Sequence, residues 1–115
     1  MIPFQNRFHG HNSLSYVYKN GKTLRSDVLT LRFIKNPRRK DIRVAVVVGK
    51  KILKSAVGRN KIRRRVYEYI RVQLPKIKTV HDIVIIINSA NVKTMPHKDL
   101  SQQIDKLLRD GGLFD

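Results

Sequence analysis

Residues 42–74 read IRVAVVVGKKILKSAVGRNKIRRRVYEYIRVQL, and the apolar period changes partway along this stretch. Ile42–Gly49 is a nearly continuous β-branched run, which predicts a strand buried on both faces. Lys50–Gly58 shows no clear period and is expected to be a loop. From Arg59 to about Leu74 the period becomes helical. Ile62, Val66, Tyr69, Ile70 and Gln73 then share one side, and Pro75 marks the stop. A buried strand feeding an amphipathic helix is a unit of an α/β protein.

The flanks extend that reading. Asn12 or Ser13 is expected to cap a short helix with Leu14, Val17 and Tyr18 on one face and Gly21 at its end. RSDVLTLRFIK, residues 25–35, alternates Leu29, Leu31 and Phe33 as a half-buried strand does. NPRRKD, residues 36–41, is a basic turn led by Asn-Pro. HDIVIIINS, residues 81–89, is another buried strand. Pro96 suits a first helical position, and Leu100, Ile104, Leu107 and Leu108 form the inward stripe of a last helix. Asp99 in its first turn, with Lys106 and Arg109 in its last, suits the macrodipole, and Gly111 lies just beyond. The outline is α-β-β-α-β-α, with a split of one strand allowed. It predicts an α/β (α+β) two-layer sandwich: a small mixed sheet of about four strands with three helices.

A chain of 115 residues makes one domain, and a hydrophobic fraction of 41% is too high for a disordered one. Lys and Arg number 25 against 8 Asp and Glu, a formal charge of +17. With an isoelectric point near 10.9, this points to nucleic acid or an anionic membrane surface. No segment approaches the ~18 apolar residues of a membrane span. The start, MIPFQNRFHGHNS, lacks an apolar signal core, so a cytoplasmic protein is expected, with residues 1–11 irregular. No Cys is present to form a disulfide or thiolate site.

The charge is concentrated. Lys35–Arg65 holds thirteen Lys or Arg and one acid, Asp41, and so carries twelve of the seventeen net charges. At helical spacing Asn60, Arg63, Arg64, Tyr67 and Arg71 lie together, away from the apolar stripe, while Arg59 sits nearer the seam in what would be the first turn. A solvated cationic face normally interleaves Glu at i±4. Here only Glu68 faces the five cations of RNKIRRR, residues 59–65. Phosphates are the natural counter-charge, and Arg59, Arg63, Arg64 and Arg65 add bidentate geometry. Among the aromatics, Phe33 and Tyr69 are expected in the core, whereas Tyr18 is divided between capping the core and stacking on an unpaired base.

The eight acids form no D-x-D or E-x-x-H arrangement, and His9 with His11 is a lone pair near the start. Ser55 and Ser89 have no patterned base, and no glycine loop is built to cradle phosphate. The expectation is a protein with no active site of its own and no metal ligands.

Lys50-Lys51, a short loop, then Ala56-Val57-x-Arg59-Asn60-Lys61-Ile62-Arg63-Arg64 resembles the protein subunit of bacterial-type ribonuclease P, whose hallmark is a lysine pair followed by R-N-R-x-K-R. SLSYVYKNG, residues 13–21, is similar to the family's first helix, and DIVIIINSA with the Pro96–Arg109 segment resembles its later strand and helix. The resemblance implies a rare left-handed β-α-β crossover. It also implies a holoenzyme that removes the 5′ leader of precursor tRNA, with Mg²⁺ held mainly by the catalytic RNA that performs the hydrolysis. On this chain Arg59, Asn60, Lys61, Arg63 and Arg64, with Tyr67, would face the ribonuclease P RNA, and Lys50 and Lys51 would edge the substrate cleft. Tyr18, Leu14 and Arg32 would line the leader cleft. The implied partners are the RNA and precursor tRNA, with no membrane and no protein partner required. Lys61 stands where the family usually has Arg, Leu14 and Asp27 where it usually has aromatics, and Tyr67 where it often has Arg. A basic ribosomal protein of similar fold is the alternative. A protein-only nuclease would need clustered carboxylates, and a DNA-binding module would need a pattern such as helix-turn-helix.

Overall fold

The computed structural model describes residues 6–8 and 14–114 in full and the backbone of 11–13. Its elements are α1 (His11–Asn20), β1 (Lys22–Arg25), β2 (Leu29–Lys35), β3 (Arg43–Val47), α2 (Ala56–Gln73), β4 (His81–Ile87) and α3 (His97–Asp110), with short 3-10 turns at Leu74–Lys76 and Ala90–Lys93. The strands form one mixed sheet in the order β1-β2-β4-β3. The β1/β2 and β2/β4 pairs are antiparallel and β3/β4 is parallel, so α2 is the crossover between two neighbouring strands.

Side-chain alternation divides the sheet into two faces. Leu29, Leu31, Phe33, Val44, Val46, Ile83, Ile85 and Ile87 pack with Ile62, Val66 and Ile70 of α2 and with Leu100, Ile104, Leu107 and Leu108 of α3 in one core. Each such side chain contributes about 1.5–3 kcal/mol by leaving water. This is the sandwich expected from the periodicity. α1 crosses the other face, where Val17 and Val84 have no exposure. Beside them Ala45, Val47 and Ile86 remain half-buried, an apolar strip that α1 covers only in part.

Several boundaries differ from expectation, each for a local reason. β1 is an added strand: KTLR is mostly exposed and pairs with β2, and only Leu24 packs against the core. β3 is an edge strand rather than one buried on both faces, with Val44 and Val46 inward and Ala45 and Val47 partly open. Its free edge is nevertheless covered. Arg7 bridges to Val44, and the Val46 N–H donates to the Tyr67 hydroxyl at 3.0 Å. α1 begins at His11, which puts Asn12 and Ser13 inside its first turn. α2 begins at Ala56, so the last third of the expected loop is helical. Ser55 caps it, its Oγ accepting from the Gly58 N–H at 3.1 Å. Pro96 is the N-cap of α3 rather than its first residue. At the other end Gly112, not Gly111, takes the left-handed conformation (φ 74°). The Leu113 N–H then reaches the Leu108 carbonyl at 2.9 Å and the Gly112 N–H reaches that of Arg109 at 3.0 Å, closing a Schellman motif.

Candidate nucleic-acid interface

Two basic regions flank the sheet, one on each side. The first is built on α2. Because the stripe Ile62, Val66 and Ile70 is buried, the positions a third of a turn away must face out. Asn60, Arg63, Arg64 and Tyr67 accordingly come together, with Val57, around an open hollow of about 550 Å³. Val57 is 76% exposed at its rim, an apolar spot among cations. The Arg63 guanidinium donates to the Asn60 side-chain oxygen, which orients both groups outward. Arg64 and Lys61 are exposed.

The other cations of α2 behave differently. Arg59 donates to the Leu53 and Lys54 carbonyls at 2.9 and 2.7 Å, fastening the preceding loop to the helix. Its own N–H bonds the Ser55 carbonyl at 3.0 Å, so it is no open N-terminal donor for an anion. Arg65 is half-buried and donates to the Val92 carbonyl at 2.8 Å, tying α2 to the 3-10 turn before α3. Arg71 pairs with Glu68 at 3.2 Å. Lys50 and Lys51 lie exposed in a turn set by the Ile52 N–H bonding to the Gly49 carbonyl at 3.1 Å, and they do not line the α2 hollow.

On the opposite face, Tyr18 and Arg32 are brought together. The Arg32 guanidinium lies 5.7 Å from the Tyr18 ring centre and also donates to the Tyr18 carbonyl. Burial pushes the Tyr18 phenol up, against the lowering effect of the Arg32 charge, so the ring stays neutral at physiological pH. Tyr18 is still 37% exposed. Leu14, one turn earlier on α1, is half-buried. Tyr69 belongs to the core margin: its hydroxyl donates to Asp105 at 2.6 Å, and burial first, then that carboxylate, pushes its pKa to about 12.

A feature that the sequence pattern missed lies at the start of β3 and β4. Arg43 and Asp82, opposite each other in register, form a buried bidentate pair at 2.8 and 2.6 Å. Asn36 donates to the same carboxylate at 2.8 Å, and the Phe8 ring lies 4.7 Å from the Arg43 guanidinium. Each residue sat inside a run read for other reasons, one basic and one apolar; only the strand register joins them. Among the described residues no three His, Cys, Asp or Glu side chains converge to hold a metal. The His9–His11 pair lies outside the described side chains. No helix among the described residues is long and apolar enough to cross a membrane.

The family model for ribonuclease P matches residues 2–111. The ribonuclease P protein component of Chloroflexus aggregans is 35% identical over 95% of this chain and 79% of its own. That of Clostridium botulinum is also 35% identical, over 96% of this chain and 97% of its own. Among solved structures, the RNase P protein of Thermotoga maritima superposes with a TM-score of 0.79 at 25% identity, covering 90% of this chain and 96% of that one. The Staphylococcus aureus RNase P protein shares the fold, with a TM-score of 0.83 at 24% identity over 96% and 98% of the two chains. These matches decide against the ribosomal alternative. A family model matched over nearly the whole chain, with relatives of this identity and coverage, places the chain in the ribonuclease P protein family.

Proposed function

We propose that the protein is the RNA-binding component of a ribonuclease P holoenzyme, docking a catalytic RNA through α2 and the 5′ leader of precursor tRNA through α1. The observation that carries this reading is the α2 hollow, which Asn60, Arg63, Arg64 and Tyr67 line together while Arg59 and Arg65 are bound to backbone carbonyls. A helix that sorts its cations into fastened and presented sets offers a defined docking face. Lys61 extends that face, and Lys50 and Lys51 continue it beyond the helix. Arg59 supports it by fixing the loop between them.

Tyr18, Leu14 and Arg32 are the leader-facing set. An exposed phenol beside a guanidinium suits a stacked base with its phosphate nearby. Hydrolysis of the phosphodiester belongs to the RNA. Mg²⁺ would be held mainly there, because the described acids do not converge and the docking face offers cations rather than carboxylates. The protein's contribution is then to neutralise phosphate at the junction of the two RNAs and to favour leader-bearing substrate over product.

Salt-dependent binding of the partner RNA tests the docking face. Arg64→Ala should weaken binding and reduce the slope of log K against log salt by about one. An unchanged slope would remove Arg64 from the interface.

A further inference from the structure

A second hollow lies on the α1 side of the sheet, and the leader-facing set does not use it. It has a volume of about 580 Å³, and Tyr16, Pro37, Arg38, Arg39, Arg43 and Asp82 are among its lining. That is within the ~300–1,000 Å³ of small-molecule sites. Tyr16 and Tyr18 flank buried Val17 on α1, so at 100° per residue their rings leave opposite sides of the helix. Tyr16 is 56% exposed, the more open of the two. An aromatic ring so placed has given up burial, and as part of the lining it is available to whatever enters the hollow.

The turn opposite the ring is held firmly. The Asn36 N–H bonds the Val80 carbonyl at 2.9 Å, its side chain bonds Asp82 at 2.8 Å, and the Arg39 N–H bonds the Asn36 carbonyl at 3.2 Å. Asp82 is neutralised by the bidentate contact from Arg43. The remaining charges in its lining are Lys35, Arg38 and Arg39, and the next two residues of the turn, Lys40 and Asp41, are exposed. Arg38 and Arg39 make no side-chain hydrogen bond or ion pair among the described residues. The site thus pairs a stacking surface with two presented guanidinium groups on a fixed turn, the combination that single-stranded nucleic acid requires.

We propose that Tyr16 with Arg38 and Arg39 forms a second nucleotide subsite, which takes an unpaired base of the precursor's leader beyond the part held at Tyr18. This rests on the functional reading above. The leader is the source because the hollow shares α1 and its sheet face with Tyr18 and Arg32, whereas the α2 docking face lies on the other side of the sheet. A base within a duplex cannot present its face to Tyr16, so the subsite selects a single strand.

The test is equilibrium binding of precursor tRNAs with graded leader lengths to holoenzyme reconstituted with a ribonuclease P RNA. Tyr16→Ala should weaken binding of the longest leader about tenfold, the scale of one lost stack, and leave the shortest leader unchanged. Tyr16→Phe should bind as the wild type does, and Arg38→Ala/Arg39→Ala should lower the salt slope for the long leader only. Equal losses at every leader length, a loss of affinity for the partner RNA alone, or no loss would overturn the subsite. A wild-type holoenzyme with no preference for longer leaders would overturn the leader reading as a whole, and the subsite with it.

Discussion

Asp82 holds the basic end of the sheet together, accepting from Arg43 through both oxygens and from Asn36. Both side chains of the ion pair are nearly inaccessible, at 5% and 3%. Asp82→Ala would remove both charge-assisted bonds from a buried guanidinium, and urea unfolding should show a loss of about 3–5 kcal/mol. A loss below about 1 kcal/mol would mean that another partner or water replaces the carboxylate. His81, next in the strand, titrates in the opposite sense to a stabilising cation. Burial holds its imidazole below the usual 6.5, helped by Lys35 and opposed by the Thr79 backbone bond and Asp82. The unfolded chain therefore takes up a proton more readily than the folded one. Stability should be full above about pH 6.5 and fall as the pH drops below it, until the folded imidazole also protonates. Thermal melts of wild type and His81→Phe between pH 5 and 8 check this, since the variant should lack that limb. At this scale the sequence was only partly informative. Helical spacing separated Asn60, Arg63 and Arg64 from the core and set Arg59 near the seam. It did not show that Arg65 reaches a carbonyl 27 positions further along the chain, because that depends on where the next turn packs.

Among the elements, those with a strong period were legible, and those made by pairing were not. β2, β4, α2 and α3 lie where alternation or a 3.6-residue stripe placed them. KTLR carries no such signal, since Leu24 alone turns inward; β2 supplies its hydrogen-bonding partner. Likewise β-branched composition made β3 resemble a central strand. Its edge position is compatible with that composition because Arg7 and Tyr67 cover the exposed side. Tyr67 thus serves both the α2 hollow and the sheet edge, a double placement that helical spacing alone does not reveal. The end of α3 offers a direct check on local geometry. Gly112→Ala must place a Cβ in the left-handed region and should cost about 1–2 kcal/mol in thermal or urea unfolding. Gly111→Ala is disfavoured for another reason: its Cβ would lie 2.8 Å from the Phe33 ring. If Gly112→Ala were neutral, the Schellman closure would not be what ends the helix.

Across the whole molecule, the sheet separates the cationic segment into two working faces. Lys50–Arg64 lies on or next to α2, and Lys35–Arg39 lies on the α1 side, so under the proposed function one small domain would neutralise two RNA strands at once. In the division of labour proposed above, the protein would supply charge and stacking, and the RNA would supply the reacting site. The most direct measurement is cleavage of precursor tRNA at low millimolar Mg²⁺ by a ribonuclease P RNA alone, by this protein alone, and by the two together. The account predicts mature 5′ ends from the mixture at a rate well above either component. A protein that cleaved alone, or that failed to stimulate a cognate RNA, would contradict it.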